Sequence, residues 1–394
     1  MKKDILFVIP SLGVGGAEKA LVNLLNIMDY DKYNVDLFVF NRNGVFMKFV
    51  PEQVNILNLS QDYIDFSMSL GKSIKTFLKK GKLNLLKDRI LFTNVNYLKR
   101  KEKHIDQYNW RYIKDSFGIL DKEYDVAIGY LEKSSIYFCV DNVKSKKKIG
   151  FIHSDYNKIG LDSDIDRKYF RYVDNIITVS KECAEVLKKV FPEYEAKINF
   201  MYNIISPKLI YDMSNEKIKL GNRNSMINLV SVGRLTNAKG YDMAIESCKK
   251  LIEKGYNIKW NIIGDGEERT NLEQLIKKSN LEDIFILLGI KENPYPYVRN
   301  ADIYVQTSRF EGKSIAIDEA KILNKPILIT NFSTAKDQIS NGEDGLIVDM
   351  DVDSIVKGLE ILINDENLRS KLVNNLSKEQ LGTENEINKL YDLF

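Results

Sequence analysis

Arg309-Phe310-Glu311-Gly312-Lys313-Ser314-Ile315-Ala316-Ile317-Asp318-Glu319-Ala320 lies between two apolar runs, Ala301-Asp302-Ile303-Tyr304-Val305-Gln306 and Pro326-Ile327-Leu328-Ile329-Thr330. Short apolar runs on either side of a helical stretch read as strand, loop, helix, strand, the repeating unit of a parallel sheet. Glu311 is then expected past the carboxyl end of a strand, and Glu319 about two turns into the connecting helix. Both should face the crevice where open parallel sheets bind ligands. A solvated helix face would show the same spacing, so the pair has to be weighed with its neighbours.

Working outward, the same alternation fills the chain. Ile5 to Pro10, Val35 to Phe40, Val54 to Leu59, Val126 to Tyr130, Lys148 to His153 and Ile176 to Val179 read as buried strands with helices between them. The polar stretch Met213 to Ser225 interrupts the pattern as a surface linker would. The pattern resumes at Leu229 to Val232, Lys259 to Ile263, Ile284 to Leu288, Ile303 to Gln306, Pro326 to Thr330 and Leu346 to Val348. The expected fold is α/β, with two doubly wound Rossmann-like domains, 1–205 and 206–380, facing a cleft. A terminal helix within 381–394 could pack back on the first domain.

With 394 residues, 44% hydrophobic and 29% charged, the chain is an ordinary globular one, and no window approaches a membrane span. The opening Met1-Lys2-Lys3-Asp4-Ile5 runs into Pro10 and a glycine loop, so it reads as a first strand rather than a signal peptide. Cys139, Cys183 and Cys248 have no paired spacing, which suits a reducing cytoplasm and small buried apolar roles. Two histidines, His104 and His153, leave little for a histidine-rich metal site.

Gly13-Val14-Gly15-Gly16-Ala17-Glu18 follows the first strand and opens a helix, where unpaired amides could hold a phosphate. Glu18 stands at the third glycine position of a dinucleotide fingerprint, and no acidic ribose ligand ends the second strand, so a nicotinamide oxidoreductase is disfavoured. A tight turn without ligand would look similar. Val232-Gly233-Arg234-Leu235-Thr236-Asn237-Ala238-Lys239-Gly240 repeats the idea with two cations suited to a pyrophosphate. Its two glycines are expected to allow close backbone approach to a ligand. His153 ends a predicted strand, where ligands gather, although a lone histidine is often structural.

Taken with Gly264-Asp265-Gly266-Glu267 and Asn293-Pro294-Tyr295-Pro296-Tyr297, these motifs resemble the retaining glycosyltransferases of family 4 with the GT-B fold. The resemblance covers almost the whole chain and is weakest from about Ser60 to Ser116. It implies that Glu311 binds donor-sugar hydroxyls, that Glu319 holds the ribose, and that Arg234 and Lys239 bind the diphosphate. His153 would line the site near sugar and acceptor, and with Glu311 forms the catalytic pair. The nucleotide-sugar donor, UDP-linked on this resemblance, would touch Gly15, Gly16, Arg234, Lys239, Gly264, Leu288, Lys313, Ser314, Ile315 and Glu319. No metal and no cofactor are expected, the cations and loop amides neutralising the leaving diphosphate. Ser314 and Lys313 depart from the family's usual proline and apolar or aromatic residue, which leaves the donor sugar open.

The net charge of +3 hides a basic segment, Lys72 to Lys114, with 13 Lys or Arg against 3 acidic residues and with Tyr97, Tyr108, Trp110 and Tyr112 interleaved. It suits an anionic membrane surface or an acidic polymer, and equally a solvated hairpin. No recognised nucleic-acid module accompanies it, so nucleic acid is not expected. The expectation is a cytoplasmic enzyme, peripheral on the inner face of the cell membrane, that transfers sugar to a glycan, lipid-linked or polymer acceptor in bacterial surface polysaccharide synthesis. The alternative is a non-catalytic partner subunit of a protein glycosylation complex.

Overall fold

A computed structural model describes residues 2–13, 15–99, 104–218, 226–379 and 381–394. The chain divides into two compact units, one from residues 1–13, 17–202 and 386–394, the other from 14–16 and 203–385. In the first, strands β1 (Lys3–Ser11), β2 (Tyr33–Asn41), β3 (Asn55–Ile56), β4 (Tyr124–Gly129), β5 (Ser145–Ile152), β6 (Asn175–Thr178) and β7 (Ile198–Phe200) stand in the order β3-β2-β1-β4-β5-β6-β7. All of these pairings are parallel. Ile5 to Ile9 of β1 are fully buried because helices cover both faces of a parallel sheet.

The second unit repeats the plan with β8 (Ile227–Val232), β9 (Ile258–Ile263), β10 (Phe285–Leu287), β11 (Ile303–Gln306), β12 (Ile327–Thr330) and β13 (Leu346–Val348), in the order β10-β9-β8-β11-β12-β13. Trp260 is fully buried. Its indole N–H donates to Ser231 Oγ at 2.9 Å, and Ser231 donates to the Val305 carbonyl at 2.6 Å, so no polar atom of this trio is stranded. Strand order reverses between β8 and β11, and such a switch point opens a crevice at the strands' carboxyl ends. The loops carrying Arg234 and Glu311 leave these two neighbouring strands.

Most of the expected strands form, with shifted ends. Of 54–59, Asn55–Ile56 pair, and β7 carries no apolar run, having three residues with one buried. The helix Ile315–Ile322 begins late enough that Glu319 lies in its second turn rather than two turns in. Near the carboxyl terminus, Ile387–Tyr391 is helical and groups with the first unit. There Tyr391 stacks on Tyr33 at 4.9 Å and its Oη accepts the Asp29 amide at 2.8 Å.

After α1 (Gly16–Asn26), the described residues of and just before the basic segment form α2 (Gln61–Ser67), α3 (Leu70–Lys79), α4 (Leu83–Leu98) and α5 (Ile105–Phe117). They hold a small core of Phe66, Phe77 and Leu85, with the Arg89 guanidinium over the Phe66 ring at 5.4 Å. Arg100, Lys101 and Lys103 lie outside the described residues. Trp110 is not part of a surface: it is 2% exposed and donates to Asp141 at 2.9 Å. The exposed apolar groups are instead Leu78, Leu83, Tyr97 and Leu98. Among the described residues no helix is long and apolar enough to cross a membrane.

Candidate active site

β11 delivers Gln306, Thr307 and Ser308 to the edge of the second sheet, and Glu311 follows in the loop. Oε1 of Glu311 accepts from Lys239 Nζ at 2.5 Å, Ser308 Oγ at 2.7 Å and Gln306 Nε2 at 3.1 Å. Gln306 is itself oriented by Tyr304 and Ser314, whose hydroxyls donate to its Oε1 at 2.9 and 3.0 Å. Among the described residues all side-chain bonds to the Glu311 carboxylate therefore fall on one oxygen. Among the described residues Oε2 has no such bond, and it is the acceptor a ligand hydroxyl would meet.

The Lys239 loop is tied to this strand by backbone. Thr307 Oγ1 donates to the carbonyls of Lys239 and Gly240, both at 3.0 Å. Arg309 forks onto Asp242 at 2.8 and 2.6 Å and also donates to the Asn237 carbonyl. That bidentate pair holds the Asp242 carboxyl below its usual range. The expected close approach of glycine to ligand proves to be close approach of the chain to itself. Gly240 has φ +64°, and a Cβ there would lie 2.1 Å from the Thr307 carbonyl oxygen, while one on Gly233 would meet Lys239 Cε at 2.9 Å. Gly264 is equally constrained, with φ +148° and 1.9 Å to the Gly233 oxygen.

Arg234 is exposed, its carbonyl accepts the Thr236 amide at 2.8 Å, and among the described residues its guanidinium makes no ion pair or hydrogen bond. Lys239, by contrast, is already paired with Glu311. Tyr241 is buried beside them, and burial first, then the Glu311 charge, raises its phenol far above the usual value. Glu319 is 4% exposed and accepts from Tyr295 Oη at 3.0 Å. Burial followed by the Glu319 charge raises the Tyr295 phenol, so it stays a donor. Leu288 is half-buried at the end of β10, donating its amide to Ile262.

The loop after Glu311 is braced by residues that carry no local sequence signal. Gln338 clamps the Ser314 backbone from both sides, accepting its N–H at 2.9 Å and donating to its carbonyl at 2.7 Å. Gln338 also donates to Asp318 at 3.2 Å. The Asp318 carboxyl, raised by burial, faces Lys313 Nζ at 3.6 Å. Lys313 thus folds back on a carboxylate three residues into the following helix. Gln306 and Ser308 were legible in principle as polar residues closing an apolar strand, whereas Gln338 has no local signal.

In the first unit His153 follows β5. Its ring lies against Tyr130 at 4.9 Å and Phe151 at 5.9 Å. Both ring nitrogens are buried, and among the described residues neither completes a hydrogen bond of normal geometry. Burial pushes its pKa down to about 3, the Tyr130 backbone offsetting only part of this. The ring is neutral at physiological pH, a state that suits exchange of hydrogen bonds with uncharged hydroxyls.

A pH effect follows with a definite sign. Between pH 6.5 and about 3 the unfolded chain binds the His153 proton and the folded chain does not, so this group's contribution to stability falls as pH drops through that window. Asp166, raised to about 6 by burial, acts in the opposite direction. It is common to parent and variant and cancels in comparison. Urea titrations should therefore show His153→Phe gaining about 2 kcal/mol on the parent between pH 7 and pH 5. A pH-independent difference would contradict the neutral buried ring.

Gly15 and Gly16 group with the second unit, and Gly16 is the first residue of α1. Among the described residues there is no cluster of three or more His, Cys, Asp or Glu that could hold a metal ion.

Against known proteins, residues 212–379 match the family described as glycosyl transferases group 1. An uncharacterized glycosyltransferase of Methanocaldococcus jannaschii is 32% identical over 44% of this chain and 43% of its own length. The chain thus spans under half of that relative. The N-acetylgalactosamine-N,N'-diacetylbacillosaminyl-diphospho-undecaprenol 4-alpha-N-acetylgalactosaminyltransferase of Campylobacter jejuni is 26% identical over 92% of this chain and 91% of its own. The crystal structure of Anabaena HepE in complex with UDP and glucose superimposes with a TM-score of 0.71, at 15% identity, over 99% of each chain. Two parallel-sheet Rossmann-like units, a group 1 glycosyl transferase domain and GT-B neighbours across the whole chain together support a GT-B glycosyltransferase.

Proposed function

We propose that the protein is a retaining, metal-independent family 4 glycosyltransferase. It moves a sugar from a nucleoside diphosphate donor, UDP-linked, to a hydroxyl of a glycan, lipid-linked or polymer acceptor in bacterial surface polysaccharide synthesis. The observation that carries this reading is the Glu311 carboxylate, saturated on Oε1 by Lys239, Ser308 and Gln306 and open on Oε2. A carboxylate so fixed recognises a sugar hydroxyl without reorganising. Beside it, Arg234 and Lys239 supply the positive charge a departing diphosphate needs. Glu319, held by Tyr295, is assigned to the ribose, Gly264 and Leu288 to the base side, Gly312 to Ile315 to the donor turn, and His153 to the sugar or its acceptor. The HepE complex with UDP and glucose and the diphospho-undecaprenol substrate of the Campylobacter relative support the donor and acceptor classes.

The membrane-facing role of the basic segment is proposed for α3. Lys72, Lys75 and Lys79 are exposed, spaced so that they share one helical face, and Leu78 and Leu83 beside them are 56% and 63% exposed. Cations flanking exposed leucines suit an anionic headgroup layer over its apolar boundary. Lys80 and Lys82 do not add to this face, since they pair with Asp65 and Asp62.

The test is a panel of nucleotide sugars scored by release of nucleotide diphosphate and by thermal stabilisation. Arg234→Ala should weaken both UDP and UDP-sugar, by about 1.5 to 3 kcal/mol for a lost charge-assisted contact. EDTA should leave turnover unchanged. Activity abolished by chelation and restored by manganese or magnesium would overturn the metal-free mechanism, and a parent that neither binds nor cleaves any nucleotide sugar would overturn the assignment itself.

A further inference from the structure

The loop between β4 and the helix Ser134–Asp141 reverses the chain sharply. Gly129 ends β4, and a Cβ there would lie 2.7 Å from both Cα and N of Ile136, so the helix backbone rests directly on the strand. The chain must therefore reverse within Tyr130 to Lys133. Tyr130 remains tied to β1 through its amide to the Val8 carbonyl, and the Lys133 carbonyl already accepts the Tyr137 amide at 3.0 Å. Lys133 absorbs the turn at φ 68°, ψ −122°, a region that side chains with a Cβ rarely adopt. Backbone strain of this kind persists only where the surroundings enforce it.

Its consequence is the placement of Glu132. Both carboxylate oxygens reach across to the end of β5, Oε2 accepting the His153 amide at 3.0 Å and Oε1 accepting Ser154 Oγ–H at 2.9 Å. One side chain thus fastens two consecutive residues beyond a strand end. The His153 ring lies against Tyr130 and Phe151, and among the described residues its nitrogens complete no bond of normal geometry. The Tyr130 backbone is a polar group that the buried ring meets within the chain, and the imidazole keeps further hydrogen-bonding capacity for a ligand hydroxyl.

We propose that Glu132, set by the strained turn at Lys133, is a positioning residue for His153, fixing the backbone from which the imidazole meets a hydroxyl of the sugar or its acceptor. The inference rests on the glycosyltransferase reading for its ligand, but not for the geometry. Lys133 contributes its backbone; its ammonium pairs with exposed Asp106 at 3.2 Å.

Three variants and one spectrum test it. Glu132→Gln is nearly isosteric and should lower kcat about tenfold with donor KM within about twofold and little change in Tm, the loss expected for one charged hydrogen bond acting through geometry. Lys133→Gly should keep parental kcat with Tm at or above the parent, because glycine accepts the turn. Lys133→Val should lose kcat as Glu132→Gln does. With only His104 and His153 in the chain, a 15N-histidine spectrum, assigned through His104→Gln, reads the ring directly. The His153 signal should be single in the parent and in Lys133→Gly, and broadened or split in Glu132→Gln. An unchanged ring signal in Glu132→Gln, or parental kcat in an active parent background, overturns the proposal. An inert parent would sink the glycosyltransferase reading alone, and the ring signal would still decide the role of Glu132.

Discussion

Glu311→Gln is expected to lower transfer at least tenfold while the fold and nucleotide diphosphate binding survive. The substituted amide has one oxygen and one nitrogen. Lys239, Ser308 and Gln306 all donate to the Oε1 position, so the amide oxygen must occupy it and the NH2 must face the ligand. A sugar hydroxyl that found an acceptor then meets a donor. Losing one charge-assisted hydrogen bond costs on the order of 1.5 to 3 kcal/mol, which is tenfold or more in rate. Lys239, released from a full negative charge, should bind UDP at least as tightly as before. Calorimetry with UDP and turnover of a cleaved nucleotide sugar separate the two effects. Turnover equal to the parent would remove Glu311 from the donor site.

Reversing Lys72, Lys75 and Lys79 to glutamate is expected to release the protein from anionic vesicles. At about 1 kcal/mol per lysine near a charged surface, removing three attractions alone costs about 3 kcal/mol, or about a hundredfold in binding. The repulsion introduced adds to that. Parental binding should weaken with salt, since screening acts over about 8 Å at physiological ionic strength. Donor cleavage should survive, because these residues lie in α3 of the first unit and the proposed donor groups of the second are untouched. Equal co-sedimentation of variant and parent would show that the helices are simply solvated.

Sequence alone carried the strand and helix alternation, because buried parallel strands are short, almost wholly apolar runs between amphipathic stretches, as Ile303 to Gln306 and Ile327 to Thr330 show. It also carried the candidates Glu311, Lys239, Arg234 and His153, since residues next to strand ends are local in the chain. It did not carry what those residues touch. The Lys239–Glu311 pair spans 72 positions and the Gln338 clamp on Ser314 spans 24, separations set by the order in which strands assemble. Composition misplaced Trp110, which charge patterning put on a surface and packing put in the core. The glycines of the Arg234 loop were legible as necessary, but the reason was not: only the folded chain shows the Thr307 carbonyl and the Lys239 side chain occupying the space a Cβ would need. Sequence fixes which elements form, because burial and hydrogen bonding within an element are short-range. Tertiary structure decides which oxygen of Glu311 is left open and which way Glu132 turns, because those depend on neighbours that only the sheet order brings together.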